Sequence, residues 1–236
     1  MFSSSQRFVL IGIGAFGKEI ARTLTQHHAE VLVIDHLSDN VNQLKIEGFE
    51  YVVHAPVLDM TLLRKFVKQD DIVILSRGDA FEDKLLQAEM LKDLGVKKIY
   101  ARAAKDIQYK IMSRMELTRV LFPEKLEAKR FALELLNKGV VSMDEIAPNF
   151  FITEFRIPSK FIGKTIHELQ IRSTHRVNII ALKEIVEDHQ ERSKQVCNTY
   201  SWGFENTPLQ ENHRLLTVGE ESYIKQFKEY IIHEDV

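Results

Sequence analysis

The sequence predicts an α/β fold with a doubly wound parallel sheet, followed by a small α+β C-terminal domain. Short apolar runs alternate with helical segments through the first part of the chain, which is the order of a parallel sheet with helices on both faces. The first apolar run enters the pattern Gly12-Ile-Gly-Ala-Phe-Gly17. From residue 149 onward, apolar and polar residues alternate instead, as in strands with one exposed face.

The first predicted strand, helix and second strand are closely spaced in the chain. Residues 8–11 are an apolar run directly before the glycines, and Phe16, Ile20 and Leu24 follow at four-residue steps. Residues 31–34 are a second apolar run. Short apolar runs predict strands and four-residue spacing predicts a helix, so this segment predicts a βαβ unit.

The same alternation continues to about residue 125. It predicts further strands at 51–53, 71–75, 98–101 and 118–122, with helices at 41–46, 58–67, 81–94 and 107–115 between them. The run 71–75 is apolar throughout, as a strand buried inside a parallel sheet requires. We therefore assign residues 1–125 to a Rossmann-like, nucleotide-binding domain.

The rest of the chain divides into a helical segment and a second domain. Residues 124–139 have the apolar spacing of a helix, and we assign 126–148 to a linker or dimerisation helix; the alternative is a helix folded back on its own sheet. We assign residues 149–236 to the small α+β domain. Its segment 188–210 is predicted to be irregular, and we expect Trp202 to anchor that loop on its own domain, with an exposed docking contact as the alternative.

The glycine pattern predicts a phosphate-binding turn. Gly12 permits a sharp turn, Gly14 lets a pyrophosphate approach the backbone, and Gly17 lets the helix lie close to the strand. The helix that begins near Ala15 and Phe16 presents unpaired N–H groups and the positive end of its dipole. The alternative is a βαβ unit whose glycines serve packing alone.

Asp35 lies where this fingerprint places an acid that binds ribose hydroxyls. The next residues are His36, Leu37 and Ser38, so no arginine follows to accept the 2′-phosphate of NADP. We therefore predict NAD rather than NADP, and the choice between NAD(H) and ATP or ADP stays open.

Composition and motif content narrow the class of protein. Lys and Arg total 32 against 34 Asp and Glu, so there is no basic field to hold nucleic acid. The apolar runs are far shorter than the roughly 20 residues of a membrane span, and the single cysteine, Cys197, excludes an internal disulfide framework. No HExxH, CxxC or GxSxG motif occurs. We expect a cytoplasmic nucleotide sensor that is not an enzyme; the alternative is a compact NAD-dependent oxidoreductase.

These features, in this order, resemble the RCK family, the regulators of K⁺ conductance, whose bacterial members include the TrkA- and KtrA-type subunits of K⁺ uptake systems. The resemblance covers nearly the whole chain. In the first domain it rests on the glycine pattern, Asp35, His54-Ala55-Pro56, the basic Arg102 at the end of the fifth predicted strand, and Pro123-Glu124. In the second domain, residues 161–169 and 178–182 resemble the TrkA-C module.

The resemblance implies a regulatory subunit that binds NAD(H) or ATP/ADP, with Mg²⁺ or Ca²⁺ as a further ligand. It also implies a homodimer that closes into an octameric ring. The ring would dock at the inner face of the membrane on a K⁺ channel-like subunit of the TrkH/KtrB type, where nucleotide exchange gates K⁺ flux. A related alternative is an RCK-type regulator of a different cation transporter.

The resemblance also implies roles for individual residues. The phosphates are held by the loop of Gly12, Gly14, Ala15, Phe16 and Gly17, the ribose by Asp35 with His36, and the adenine lies along His54, Ala55 and Pro56. Arg77, Gly78 and Arg102 complete the cofactor-binding set, and Glu124 helps to hold the divalent ion. There are three departures: Ala15 stands where KtrA-type members often carry arginine, His54-Ala55-Pro56 replaces a polar stretch, and the segment 188–210 is longer than the usual hairpin of the small domain.

Overall fold

The computed structural model describes residues 6–78, 80–136, 139–187 and 195–232. It divides the chain into two units, Met1–Leu126 and Glu127–Val236. Within the described part of the chain, no helix is both long enough and apolar enough to cross a membrane.

The first unit contains a six-stranded parallel sheet. Its strands are β1 (Phe8–Ile11), β2 (Val31–Asp35), β3 (Tyr51–His54), β4 (Ile72–Leu75), β5 (Lys98–Arg102) and β6 (Arg119–Leu121). Its helices are α1 (Ala15–Gln26), α2 (Ser38–Ile46), α3 (Met60–Phe66), α4 (Phe81–Asp93) and α5 (Asp106–Met112). The strand order β3-β2-β1-β4-β5-β6 confirms the predicted doubly wound fold.

The direction of strand addition reverses at β1. This strand pairs with β2 on one side and with β4 on the other, and Phe8 lies opposite both Val31 and Ile72. The carboxyl ends of these three strands therefore reach the same edge of the sheet. Ligands of open α/β sheets bind outside the carboxyl ends at such a reversal, so the turn after β1 lies at the expected ligand edge.

Alternate residues of the central strands face two different apolar layers. Val9 and Ile11 belong to one buried cluster, and Leu10 and Val33 belong to the cluster on the other face. Because helices cover both faces, both sets of positions must be apolar. This explains why the inner strands are continuous apolar runs in the sequence.

The second unit contains a five-stranded antiparallel sheet in the order β10-β9-β11-β8-β7. Its strands are β7 (Val140–Ala147), β8 (Phe150–Arg156), β9 (Asn178–Glu187), β10 (Gln195–Tyr200) and β11 (His213–Glu220). Its helices include α7 (Ile166–Leu169), α8 (Ile171–His175) and α9 (Glu221–Ile232), with a 3₁₀ turn at Ser159–Phe161. The boundary between the units falls within α6 (Pro123–Leu136).

Aromatic side chains form the centre of the second unit. Phe155 from β8 meets Phe227 from α9 edge-to-face, with 5.3 Å between ring centroids. Phe161 and Leu215 are fully buried in the same cluster. This core on one face of the sheet, with polar residues on the other, confirms the predicted α+β domain.

The two edge strands of this sheet were absent from the sequence prediction. β7 lies inside the segment 126–148 that was assigned to a linker, and β10 lies inside 188–210, which was predicted to be irregular; residues 188–194 fall outside the described part. An edge strand pairs on one side only, so it needs little apolar sequence. The expectation that Trp202 covers its own domain is wrong, since its side chain is 91% exposed.

Candidate functional site

The segment from Gly12 to Gly17, which covers the turn after β1 and the start of α1, has room for a side chain at only one of its three glycines. Gly12 has a φ of +84°, and a Cβ there would collide with Cγ of Arg77. A Cβ on Gly17 would lie 2.5 Å from Oγ of Ser76. At Gly14, by contrast, no atom lies within 4 Å of the Cβ position. The fold therefore requires Gly12 and Gly17, whereas Gly14 presents open backbone to an incoming ligand.

The N-terminus of α1 has no side-chain cap. Gly14 occupies the N-cap position without a capping hydrogen bond, and the first turn contains no acidic residue. Gly14 and Ala15 are exposed, and Phe16 is half-buried. The first N–H groups of a helix have no partner within it, and this end of the dipole is positive. The arrangement therefore suits an anion such as a phosphate.

Asp35 ties the glycine loop to the end of β2. Its carboxylate is only 3% exposed and accepts hydrogen bonds from the backbone N–H of Ile13 at 2.5 Å and of Leu37 at 2.8 Å. The side-chain amide of Asn40 donates to Asp35 at 3.2 Å and to the carbonyl of Ile13 at 3.0 Å. The acid thus fixes the loop before any ligand arrives. Oδ1 already accepts two of these hydrogen bonds, whereas Oδ2 accepts one and can still accept a ribose hydroxyl.

A cavity of about 220 Å³ opens beside this loop. Six of the predicted site residues line it: Gly12, Asp35, His36, Ala55, Pro56 and Arg77. The rest of the lining is mainly apolar and comes from β1, β2, the segment after β3 and α4: Ile11, Ile34, Val57, Leu58, Asp83, Leu86, Gln87 and Met90. A mainly apolar cavity with polar groups at one end suits a nucleoside whose phosphates extend toward α1.

His54 lies at the rim rather than in the cavity lining. Its Nε2 is 3.1 Å from the carbonyl oxygen of His36, and the side chain is exposed. His54 reaches His36 because it lies opposite Asp35, the preceding residue, in the β2–β3 register. His54 therefore holds the segment after β2 in place, and Ala55 and Pro56 form the wall that the sequence analysis assigned to all three.

The remaining predicted residues form a cluster around Arg102, at the end of β5. Its guanidinium lies 5.2 Å from the ring centroid of Phe16 and makes an ion pair with Glu124, in the first turn of α6. A Cβ on Gly78 would lie 3.4 Å from the same guanidinium. Arg102 is thus held between the start of α1 and the start of α6.

The carboxyl group of Glu124 responds to this neighbour. Partial burial raises its pKa, but the hydrogen bond and positive charge of Arg102 outweigh burial, so the pKa falls below the ordinary value. Glu124 is therefore ionised at neutral pH, and its charge is already matched by a cation within the protein.

Two buried nitrogen atoms near the ligand edge have no hydrogen-bond partner among the described residues. They are Nε of Arg102 and Nδ1 of His36, the latter 3.5 Å from Oδ1 of Asp35. Buried polar atoms normally find partners. A phosphate bound at this point would accept a hydrogen bond from Nε of Arg102 and from the unpaired N–H groups at the start of α1.

The described residues offer less to a metal ion. No three His, Cys, Asp or Glu side chains in this part of the chain come together as a metal-binding group. Glu124 is the predicted ligand, and Arg102 already pairs with it. A divalent ion here would need oxygens from phosphates or from another molecule.

Sequence reasoning missed two supporting residues. Asn40 completes the hydrogen bonding of Asp35, and a polar residue five positions after the acid was a weak signal for it. Lys84, in α4, is 2% exposed and donates to the carbonyl of Arg102 at 2.8 Å. A lysine in a helix is ordinarily exposed, so nothing in the sequence marked this one.

A model of the TrkA-N domain family matches residues 8–123 of the chain, from the start of β1 to the start of α6. Residues 8–123 thus match the TrkA-N family, which supports an RCK-type regulatory subunit. The chain is 25% identical over 228 residues to the Ktr system potassium uptake protein C of Bacillus subtilis (strain 168), a match that covers 97% of this chain and 98% of that protein.

Solved RCK structures have the same fold. The GsuK RCK domain matches with a TM-score of 0.66 at 19% identity, over 99% of this chain and 48% of that one. The GsuK channel bound to NAD matches with a TM-score of 0.65 at 19% identity, over 98% of this chain and 40% of that one. This chain thus spans less than half the length of either structure.

Proposed function

We propose that this protein is an RCK-type, nucleotide-sensing regulatory subunit of a membrane K⁺ transport system. The observation that carries the proposal is the ligand edge of the first unit, where the uncapped α1, the open Gly14 backbone and the orphan donor of Arg102 come together. The similarity to Ktr system potassium uptake protein C extends over nearly the full length of both chains and supports the K⁺ assignment.

The nucleotide would bind with its phosphates at α1 and its nucleoside in the adjoining cavity. Asp35 would accept the ribose hydroxyls, and Ala55 and Pro56 would form the adenine wall. The ligand is NAD(H) or ATP/ADP, and a GsuK structure bound to NAD supports the first choice by analogy. Ala15 offers no side-chain charge to a third phosphate, so discrimination between ATP and ADP falls to Arg102 and Arg77.

Signalling would begin with an exchange of partners at Arg102. A phosphate at the α1 terminus competes with Glu124 for the guanidinium, and a displaced Glu124 changes the start of α6. A ligand shifts a conformational equilibrium only by its difference in affinity for the two states. A tenfold difference at each site corresponds to about 1.4 kcal/mol, and the sites of an oligomer would add. A released Glu124 would also be available to Mg²⁺ or Ca²⁺ bound to the phosphates.

Assembly and location complete the proposal. We propose a homodimer within an octameric ring, bound to a TrkH/KtrB-type subunit at the cytoplasmic face of the membrane. Leu126, Phe131, Leu135 and Leu136 on α6 are exposed, and an apolar cavity of about 550 Å³ lies between Tyr109, Val120 and Leu126. Exposed apolar groups of this extent favour a protein partner.

Two measurements test the function. Affinity purification from membranes of the source cells, with mass spectrometry of the retained protein and nucleotide, should recover a K⁺ transport subunit together with an adenine nucleotide. Recovery of neither would contradict the proposal. Hydride transfer to or from a small substrate, followed by nicotinamide absorbance, would instead support the oxidoreductase alternative.

A further inference from the structure

A separate cavity, of about 320 Å³, lies wholly within the second unit. It opens where β9, β10 and β11 meet the loop that carries Trp202. Its lining residues are Leu182, Glu184, Tyr200, Trp202, Gly203, Phe204, Thr207, Gln210 and His213. Leu182, Phe204 and His213 are buried, so the floor is formed by rigid core side chains.

The cavity wall carries one carboxylate, that of Glu184, which makes no ion pair with the described residues. Oε2 of Glu184 accepts a hydrogen bond from the hydroxyl of Tyr200 at 3.0 Å and a longer one from the amide of Asn198 at 3.4 Å. None of the described lysine, arginine or histidine side chains makes an ion pair with Glu184. The carboxylate is therefore held in position by neutral donors.

His213 does not supply the missing positive charge. Burial lowers the pKa of its imidazole, against the opposing influence of Glu184, so the ring is neutral at pH 7. Its Nδ1 accepts the backbone N–H of Gln210 at 3.2 Å, which places the proton on Nε2. Among the described residues that line the cavity, Glu184 is therefore the one acidic side chain, and no lysine or arginine accompanies it.

Aromatic rings flank this charge. Tyr200 is half exposed at the wall, and Trp202 is 91% exposed at the mouth. Trp202 precedes Gly203, whose φ of +75° turns the chain there. The faces of tryptophan and tyrosine attract cations, and recognition of ammonium groups commonly combines such rings with a carboxylate.

We propose that Glu184, Tyr200 and Trp202 form a binding site for a small organic ammonium cation. The carboxylate supplies the opposite charge, and the rings accept the methyl or methylene groups around the nitrogen. The volume lies at the lower end of the range of about 300–1,000 Å³ for small-ligand sites. A divalent metal ion fits less well, because the described part of the chain places no third acidic, histidine or cysteine ligand there.

Trp202 is the one tryptophan of the chain, so its emission reports this site directly. Choline, titrated into the full-length protein, should change the emission with a saturable curve. Its uncharged isostere 3,3-dimethyl-1-butanol should produce no saturable change. Equal responses to choline and to the isostere would overturn the proposal. So would the failure of both choline and putrescine to change the emission. Neither outcome depends on a variant that must fold.

A matched pair of variants tests whether Glu184 supplies the negative charge that binds choline. Glu184→Gln should weaken choline binding at least tenfold, whereas Glu211→Gln, an exposed acid outside the cavity lining, should leave it unchanged. Trp202→Leu, followed by calorimetry, should also weaken binding. Unchanged affinity in Glu184→Gln would refute the assignment. Phosphatidylcholine vesicles form a second arm: binding to vesicles without binding of free choline would point to a lipid surface and contradict a free ligand.

Discussion

Gly14 differs from its two neighbouring glycines in what surrounds it. Its φ is −88°, which any residue adopts, and the Cβ position is open. Gly14→Asp should therefore fold, yet its side chain and charge would occupy the phosphate position. We expect roughly 100-fold weaker binding of ADP and NAD, or about 2.7 kcal/mol.

Calorimetry with circular dichroism checks this expectation. Gly14→Ala is the matched control, because it adds volume without charge and should bind more tightly than the aspartate variant. Wild-type affinity in a folded Gly14→Asp protein would remove the phosphate site from this loop.

The ion pair of Glu124 leads to a second prediction about a single side chain. Glu124→Gln removes the charged partner of Arg102, so a phosphate no longer has to displace it. ADP in the presence of chelator should bind roughly threefold to tenfold more tightly to the variant. Mg²⁺ or Ca²⁺ should then strengthen binding to the wild type but add nothing in the variant.

Titration of ADP with cation and with chelator measures both effects. Glu127→Gln is the control, because that acid pairs with Arg130 farther along α6. An identical cation response in wild type and Glu124→Gln would end the metal proposal, whereas unchanged affinity in chelator would end the proposed exchange at Arg102.

The same ion pair has a pH dependence of known sign. Burial raises the pKa of Glu124, but Arg102 lowers it more, so the folded-state value lies below the ordinary carboxyl value of 4.5. The stabilisation is thus present above the unfolded pKa and lost as pH falls through the folded one. The difference in free energy of unfolding between wild type and Glu124→Gln should shrink toward zero on acidification below about 4.5. Urea denaturation at neutral and acid pH measures it; a difference that grows on acidification would contradict the pairing.

At the scale of elements, the end of β2 and the turn after β1 act together. Asp35 joins them through Ile13 and still lines the cavity. Its negative charge would meet the 2′-phosphate of NADP without a nearby arginine from residues 36–38. NADP should bind at least about tenfold more weakly than NAD. Competition calorimetry decides it, since equal affinities would mean that Asp35 does not reach the ribose.

The elements also show where the sequence is informative. Buried parallel strands and the glycine turn were predictable because each residue type there has one physical role. The edge strands β7 and β10 were not, since pairing on one side leaves little apolar pattern. The pair of Arg102 and Glu124 was also hidden, because residues 22 positions apart meet only once β5 and α6 are in place. The resemblance placed Arg102 near the phosphates and Glu124 at a divalent ion, and did not pair them.

For the whole molecule, the exposed apolar residues of α6 predict association. Light scattering at high micromolar concentration should give at least the mass of a dimer. Changing Leu135 and Leu136 together to glutamate should shift the protein toward monomer, because both side chains are largely exposed and apolar. Lys45→Glu, at an exposed site on α2, is the control for added charge. A monomeric wild type, with and without nucleotide, would contradict the proposed ring.

The unequal surroundings of the three glycines have a consequence for genetics. Side chains at Gly12 or Gly17 collide with the protein itself, so such subunits should unfold and be degraded, which produces recessive alleles. An acidic substitution at Gly14 has room for its side chain and should leave a folded subunit that no longer binds the proposed nucleotide. In a cell that also makes the wild-type chain, this subunit would enter mixed assemblies and disable them. Dominant-negative alleles should therefore concentrate at Gly14.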